Sequence, residues 1–219
     1  MKPNPFKYFK TSPEIIRLAV MMYVRFPLSL RNVEDLLHER GIDICHETVR
    51  AWWNRFGPIF AADIRKKRVQ AMRAFPQWRW HLDEMYVKIR GEIHYLWRAV
   101  DHEGEVLEAY VTKKRFGSPK SIVTDDLRSY GAALKEIGNA EVQVTGRWLN
   151  NRVENSHQHL RRRERAMSRF RQMRTLQKFA AVHSSVFNHF NQDRHLNHRP
   201  IFKERRSAAL AEWRQLCAG

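Results

Sequence analysis

The chain has 219 residues, and 43% of them are hydrophobic, which excludes disorder throughout and supplies a core for one sizeable domain and a smaller one. Forty Lys and Arg against 23 Asp and Glu give a formal net charge of +17 and a pI near 10.5. A charge of this size favours a nucleic-acid partner, although a ribosomal-type binder or a protein of a membrane surface carries a similar one.

The sequence shows no apolar run long enough to cross a membrane and no signal-peptide pattern at its start. Its two cysteines, Cys45 and Cys217, are far apart and have no CxxC partner, so they are expected to be reduced thiols that bind no metal. Together these features predict a cytoplasmic protein with no membrane partner.

Three short helices are predicted in residues 1–57. Ser12-Pro13-Glu14 is a typical helix opening, with a capping hydroxyl, proline in the first turn and an acid near the positive helix end. A second helix fits Ser29 to Arg40, and a third fits His46 to Phe56 with Gly57-Pro58 as its stop. Because a tight turn separates the last two, the pattern favours a helix-turn-helix unit.

The third helix carries polar side chains of the kind that read bases and phosphates. The candidates are Thr48, Arg50, Asn54 and Arg55. A plain three-helix lobe with solvated charges is the alternative. Residues 58–77 follow as a basic linker, which could be a helix, an arm on the phosphate backbone or a solvated connection.

From Trp78 the periodicity changes from helical to alternating, which indicates strands. The predicted strands are Trp80–Ile89, Glu92–Asp101, Val106–Thr112 and Ser121–Thr124. A helix is expected over Ser129–Ile137, and a long amphipathic segment over about Asn150 to Asn191. Three antiparallel strands followed by a further strand and helices predict an RNase H-like domain over residues 78–192. Residues 193–219 are interpreted as a basic tail.

Three carboxylates stand out in this α+β or α/β pattern. Asp83 lies in the otherwise apolar row of the first strand, Asp125 follows the fourth strand with Asp126 beside it, and Glu154 lies near the start of the long helical segment. Each has a structural alternative: a satisfied strand aspartate, a turn residue and a helix cap. Together they match what two-metal phosphoryl transfer requires, since several carboxylates must hold the cations.

The arginine run after Glu154 is the second feature of this helix. His157 and Arg161 follow Glu154 at i+3 and i+7, so they share its face. Arg161, Arg162 and Arg163 are predicted to bind DNA phosphates. A solvated helix face is the usual alternative for such a run.

Several long motifs resemble the insertion-sequence-six family of DDE transposases. The matching stretches are Trp80–Glu84, His94–Asp101, Thr124-Asp125 before Leu127–Gly131, Asn150–His157 and Arg161–Met167. The resemblance spans nearly the whole chain. It implies a DDE integrase-type, RNase H-like catalytic domain after an N-terminal helix-turn-helix, with the catalytic and metal-binding acids on Asp83, Asp125 and Glu154.

The resemblance also implies the cofactor and the partners. Two Mg²⁺ or Mn²⁺ ions are expected at the three acids. The expected partners are double-stranded DNA, as the element's terminal inverted repeats and target DNA, and further copies of the chain on paired ends. Such a bacterial enzyme would join replicons into cointegrates and associate with the nucleoid or plasmids.

One departure from the family pattern lies between the third and fourth strands. A helix-length segment is expected there, but only Lys114 to Lys120 remains. Parallel crossovers normally take a dozen or more residues and a helix, so an internal deletion is inferred. An active transposase and a catalytically defective DNA-binding remnant are therefore both open. A generic RNase H-type nuclease or resolvase fits less well, because the motifs reach beyond the acids.

Overall fold

The structure is a computed structural model and describes residues 4–72, 79–90, 92–101, 105–110, 121–124, 143–145, 151–168, 170–190 and 197–217. The helices in these residues are α1 Pro13–Arg25, α2 Leu30–His38, α3 His46–Met72, α4 Asn151–Ala166, α5 Met173–Phe190 and α6 Arg199–Arg214. The strands are β1 Arg79–Ile89, β2 Glu92–Asp101, β3 Val106–Tyr110, β4 Ser121–Thr124 and β5 Gln143–Thr145. The protein is a mixed helix and strand structure.

The strands form one sheet in the order β3-β2-β1-β4-β5. β2 is antiparallel to both β1 and β3, whereas β4 is parallel to β1 and β5 is parallel to β4. Ile89 pairs with Glu92, so the predicted two-residue turn joins β1 and β2, and Arg90 takes the positive φ of 51° that such a turn requires. The strand β5 was not predicted.

The first two helices follow their local sequence. α1 begins at Pro13 as predicted, although the Ser12 hydroxyl makes no capping bond to the helix backbone. Ser29 opens α2 with a reciprocal capping box, because its hydroxyl accepts from the Asn32 N–H at 3.1 Å and its own N–H donates to the Asn32 side chain at 3.0 Å. Gly41 follows α2 at φ 73°, the left-handed conformation that favours glycine after a helix end.

The predicted end of the third helix at Gly57-Pro58 is wrong. α3 continues to Met72 with Pro58 inside it, so much of the predicted linker is helical. Pro58 leaves the Asn54 carbonyl without its helical donor, and the Lys178 ammonium on α5 donates to that oxygen at 2.9 Å. Gly57 is a close-packing position, since a Cβ there would lie 2.7 Å from the Trp53 ring.

The predicted long segment after Asn150 is two helices. α4 ends at Ala166 and α5 begins at Met173. Between them Ser168 has a φ of 56°, a left-handed conformation that a continuous helix cannot contain. Apolar residues continue at helical spacing on both sides of the break, so no local pattern marks it.

The predicted basic tail also needs correction, because residues 199–214 form α6. The Trp213 side chain is 2% exposed, and its indole N–H donates to the Arg17 carbonyl at 3.1 Å. The buried Arg17 guanidinium donates in return to the Leu216 carbonyl at 2.8 Å. Few apolar residues mark this helix, so its buried face was hidden among Arg and Lys.

An aromatic core joins the N-terminal helices to α5 and α6. Its buried rings are Phe6, Tyr23, Trp52, Trp53, Phe56, Phe60, Phe170, Phe179, Phe190 and Trp213. The same core continues under the sheet at Met85, Val87 and Leu96. α5 packs against β3, and α4 packs against β1 and β2. Among the described residues, no helix has the length and apolarity needed to span a membrane.

Candidate functional site

Asp83 lies in β1, the central strand of the sheet. It stands between His81 and Met85, whose side chains are buried, and its partner across the antiparallel pair is Arg98 on β2. The structure therefore puts the first predicted acid in the middle of the sheet, in line with two buried residues.

The strand β4 lies beside β1 and ends next to the second predicted acid in the sequence. β4 ends at Thr124, the residue before Asp125. His81 of β1 pairs with Val123 of β4, so Asp83 and Asp125 are each two residues beyond one registered pair. Asp125 and Asp126 themselves lie outside the described residues, as do the predicted helix at 129–137 and the connector 114–120.

Glu154 lies in the first turn of α4. The Arg98 guanidinium donates to the carbonyl of Ser156 at 2.9 Å, two residues after Glu154. One side chain thus connects the strand position opposite Asp83 to the helix that carries Glu154. Within the described side chains, no group of three His, Cys, Asp or Glu is placed to hold a metal, and those of Asp83, Asp125 and Glu154 are not among them.

Arg98 was not predicted as a site residue. Its side chain is 1% exposed, and neither its Nε nor its Nη2 has a hydrogen-bond partner among the described residues. Burial lowers the pKa of Arg98 to about 9. The signal available in the sequence was an arginine at an inward position of a predicted strand, where an unpaired charge is costly.

Two histidines lie close to this buried charge. Burial, followed by the positive charges of Arg98 and Arg161, lowers the pKa of His157 to about 3. Burial also holds the pKa of His183 well below its ordinary value, with Arg98 and Arg163 as the next causes. Both imidazoles are therefore neutral near pH 7.

The three consecutive arginines of α4 have different surroundings. Arg161 forms an ion pair with Glu164 at 3.0 Å, and Arg162 is exposed. Arg163 is 1% exposed, donates to the Leu28 carbonyl at 2.8 Å and lies over the Tyr23 ring. Successive helical residues point in different directions, so the prediction that Arg163 faces DNA is wrong.

The four candidates on α3 are also unequal. Arg50 pairs with Glu47 at 3.0 Å on the exposed surface, and the Thr48 hydroxyl lies 3.3 Å from the Cys45 sulfur. Arg55 lies over the Phe9 ring. The side-chain oxygen of Asn54 accepts a hydrogen bond from the Lys178 ammonium at 3.0 Å, so this oxygen is already bonded within the fold.

Arg68 of the predicted basic linker forms an ion pair within the fold. Arg68, near the end of α3, forms it with Glu105, the residue just before β3. This contact fixes the end of α3 to the sheet. It also engages Arg68, one of four consecutive basic residues in the linker, so this side chain is not available to bind a phosphate.

A family model described as a DDE domain matches residues 77–117 and 115–193 of the chain. The two pieces meet inside the connector predicted to be short. The transposase for insertion sequence-like element IS431mec of Staphylococcus aureus is 32% identical over 181 residues, which cover 74% of this chain and 79% of that protein. The transposase for insertion sequence element IS257 in transposon Tn4003 of the same species is 31% identical over the same shares.

Among solved structures, a simian T-cell lymphotropic virus intasome in complex with a PP2A regulatory subunit overlaps 52% of this chain and 48% of the matched chain. Its TM-score is 0.34 and its identity is 16%, values too low to bear on the fold.

The matched domain and the named relatives define a DNA-transferring enzyme of the DDE class. The chain belongs to the insertion-sequence-six family of DDE transposases, as its motifs predicted.

Proposed function

We propose that this chain cuts and joins DNA at the terminal inverted repeats of its element, with Asp83, Asp125 and Glu154 as the catalytic acids. The observation that carries the proposal is the bond from Arg98 to the Ser156 carbonyl. It connects the position opposite Asp83 with the first turns of the Glu154 helix. If the β1–β4 register continued for two more residues, Asp125 would be level with Asp83.

The sheet order supports an RNase H-like assignment for this domain. Three antiparallel strands followed by two parallel ones, with β1 in the centre, leave the C-terminal end of β4 beside β1. Polar groups of active sites collect at the C-terminal ends of such parallel strands.

Three carboxylates fit Mg²⁺ or Mn²⁺, since both ions prefer oxygen ligands. Asp83, Asp125 and Glu154 would hold two such ions, which supply Lewis-acid stabilisation of the attacking and leaving oxygens when bound. The residues of this chain position the DNA. Arg162 is exposed on the same helix, eight residues beyond Glu154, and would bind a backbone phosphate.

Helices α2 and α3 are separated by residues 39–45, and this arrangement supports a helix-turn-helix unit in the N-terminal region. α3 would then be the recognition helix, with Thr48 and Arg50 nearest to its N-terminus, where base contacts usually lie. The DNA would be the element's ends and the target, bound by several copies of the chain in the bacterial cytoplasm on nucleoid or plasmid DNA.

Substitution of the acids tests the catalytic assignment. Asp83→Asn, Asp125→Asn and Glu154→Gln should each reduce Mg²⁺-dependent strand transfer to background and leave binding to terminal-repeat DNA nearly unchanged. Asp35→Asn, at an exposed position of α2, is the matched control and should retain activity. An inactive Asp126→Asn together with an active Asp125→Asn would move the second ligand to Asp126.

Recognition and general affinity are separable in the same binding experiment. Thr48→Ala with Arg50→Gln should remove the preference for end DNA over random DNA. Arg162→Gln should weaken binding to both equally and lower the log–log salt slope by about 0.9, the value for one phosphate contact. An unchanged preference in the first variant would exclude α3 as the recognition helix.

A second candidate function is DNA binding without catalysis. Ten residues separate β3 from β4, which lie three strand spacings apart in the sheet. They must pass about 14 Å across β2 and β1 and return the length of a strand, a path that normally takes a dozen or more residues and a covering helix. Insertion of a helix of family length after Arg115 tests this candidate. A rise in melting temperature and in cointegrate yield would support a catalytically defective remnant. A chain that is already active and gains nothing from the insertion would exclude it.

A further inference from the structure

A pocket of about 240 Å³ opens where four helices meet. Its cationic walls are Arg25 at the end of α1, Arg162 and the buried Arg163 on α4, and Arg206 on α6, and His183 and Phe187 of α5 line it as well. The volume is many times what one water molecule needs, so the space admits a group of several heavy atoms. We call this cavity the arginine pocket.

The arginines of this pocket have no counter-charge. None of its described lining residues is an acid, and within the described part of the chain Arg25, Arg162 and Arg206 form no ion pair. The Nε of Arg206 is buried and has no hydrogen-bond partner among the residues that the structure describes. Several cations that share one cavity without an anion repel each other, and a bound anion would remove that repulsion.

Aromatic faces hold the charged groups in place. The Arg25 guanidinium lies 4.1 Å from the centroid of the Phe190 ring, and that of Arg206 lies 4.9 Å from the centroid of Phe202. A guanidinium stacked on a ring keeps the N–H groups at its edge available for an oxyanion. Ring stacking thus positions these donors without consuming them.

The histidines of the pocket add no positive charge at neutral pH. Burial and then the charge of Arg162 lower the pKa of His159, which also lines the pocket, and that of His183 is lowered further. Both rings contact Phe187, at 4.6 and 6.0 Å between centroids. The positive charge of the pocket at neutral pH is therefore carried by the arginines.

We infer that the arginine pocket binds one phosphodiester group of the DNA on which the enzyme acts. Arg162 stands eight residues beyond Glu154 on α4, which is about 12 Å along the helix axis at ~1.5 Å per residue. A DNA strand that follows α4 advances roughly 3.4 Å per nucleotide. The phosphate held in the pocket is then three to four nucleotides from the one that reacts. This placement rests on the proposed function, whereas the preference for a phosphate group does not.

The first arm of the test uses the anion alone. Pyrophosphate should raise the melting temperature of the full chain above that in sodium chloride of equal ionic strength, and Arg25→Gln with Arg206→Gln should abolish the increase. The control Arg205→Gln with Arg214→Gln removes the same charge from exposed positions of α6 and should keep it. In chloride the pocket variant should melt within a few degrees of the wild type, because it loses mutually repelling charges. A variant that does not fold is replaced by Arg25→Lys with Arg206→Lys, which keeps the charge but not the planar fork and should show a reduced increase.

The second arm uses end DNA with a single neutral methylphosphonate at successive positions. The pocket variant should lose about 0.9 from the salt slope, and one methylphosphonate, three to four nucleotides from the joined end, should weaken the wild type but not the variant. Stabilisation by pyrophosphate with no position-specific effect on DNA overturns the DNA assignment. If the protein responds in neither arm, the arginine pocket is not a phosphate site. If the pocket variant shows the reduced salt slope but the wild-type chain transfers no strands, the result supports the pocket and contradicts the proposed catalysis.

Discussion

The aromatic helical core and the layer between the sheet and helices α4 and α5 are built from different materials. In the core, Trp53, Phe179 and Trp213 pack against other rings and are almost fully buried. In the layer beneath the sheet, the buried side chains include Arg98 and His183. The helical core is made mainly of aromatic rings, whereas the layer beneath the sheet combines apolar residues such as Met85 and Val87 with groups that can carry charge.

This difference separates stability from function within one small protein. Burial of apolar surface is the dominant favourable contribution to folding, so the helices should provide most of the free energy of unfolding. Buried cations without partners contribute little or cost stability. We attribute the retention of Arg98, at the strand position opposite Asp83, to the chemistry proposed above, and variants in the two regions should therefore behave in opposite ways.

Removal of a core ring should have the largest effect on stability. Trp213→Ala is expected to cost about 3–5 kcal/mol in the free energy of unfolding, because the cavity lies between α6 and the core and the bond to the Arg17 carbonyl is lost. Denaturant unfolding measures this, with Tyr8→Ala, a ring that is 85% exposed, as the control. A cost below about 1 kcal/mol would mean that α6 is dispensable, as the tail interpretation of residues 193–219 held.

Arg98 should show the opposite behaviour as a positioning residue. Arg98→Met removes a buried charge and should leave the melting temperature unchanged or higher. Strand transfer should fall about 10- to 100-fold, the range for residues that orient metal ligands, while DNA affinity stays constant.

The Mg²⁺ concentration for half-maximal activity separates this role from a purely structural one. It should rise in Arg98→Met, because the Glu154 helix has lost its bond at Ser156, and Arg98→Lys should restore part of it. A variant that loses stability and activity together, at an unchanged Mg²⁺ midpoint, would show that Arg98 is only structural.

The two regions also differ in how well the sequence predicted them. Alternation and a short turn predicted β2 with the bounds that the structure has and β1 to within one residue, and a short stretch around Ile122-Val123 predicted those of β4. Local rules failed where a tertiary contact replaced a local one. Gly57-Pro58 is a normal helix stop, but Lys178, 120 residues away along the chain from Pro58, supplies the missing donor. The role of Arg98 depends on its bond to α4, 58 residues away in sequence, which no local pattern contains.

The buried histidines should make the protein sensitive to acid. The folded state holds the pKa of His183 well below its ordinary value, so from about pH 6.5 downward the unfolded chain binds a proton that the folded chain does not. Stability is therefore complete above that pH and falls as the pH decreases, by up to about 1.4 kcal/mol per pH unit for one histidine. His183→Phe should reduce the slope between pH 6.5 and 4.5 by that amount.

The exposed His38 provides the matched control, and His38→Gln should leave the slope as it is in the wild type. Denaturant unfolding at half-unit pH intervals measures all three proteins. An equal slope in His183→Phe and in the wild type would remove this histidine as a source of acid sensitivity.

The smallest effect is expected where the sheet-side helices meet α3. Lys178 donates to the Asn54 carbonyl at 2.9 Å and to its side-chain oxygen at 3.0 Å. Lys178→Met keeps the apolar stem over Trp53 but removes both bonds, at a cost of about 1 kcal/mol, because water reaches this partly exposed site. Pro58→Ala supplies a backbone N–H to the same carbonyl and should recover much of that loss, so the double-mutant cycle should show a coupling of about 0.5–1 kcal/mol. Additive effects in denaturant unfolding would mean that Lys178 does not replace the bond that Pro58 removes, and that α3 passes through Gly57-Pro58 on packing alone.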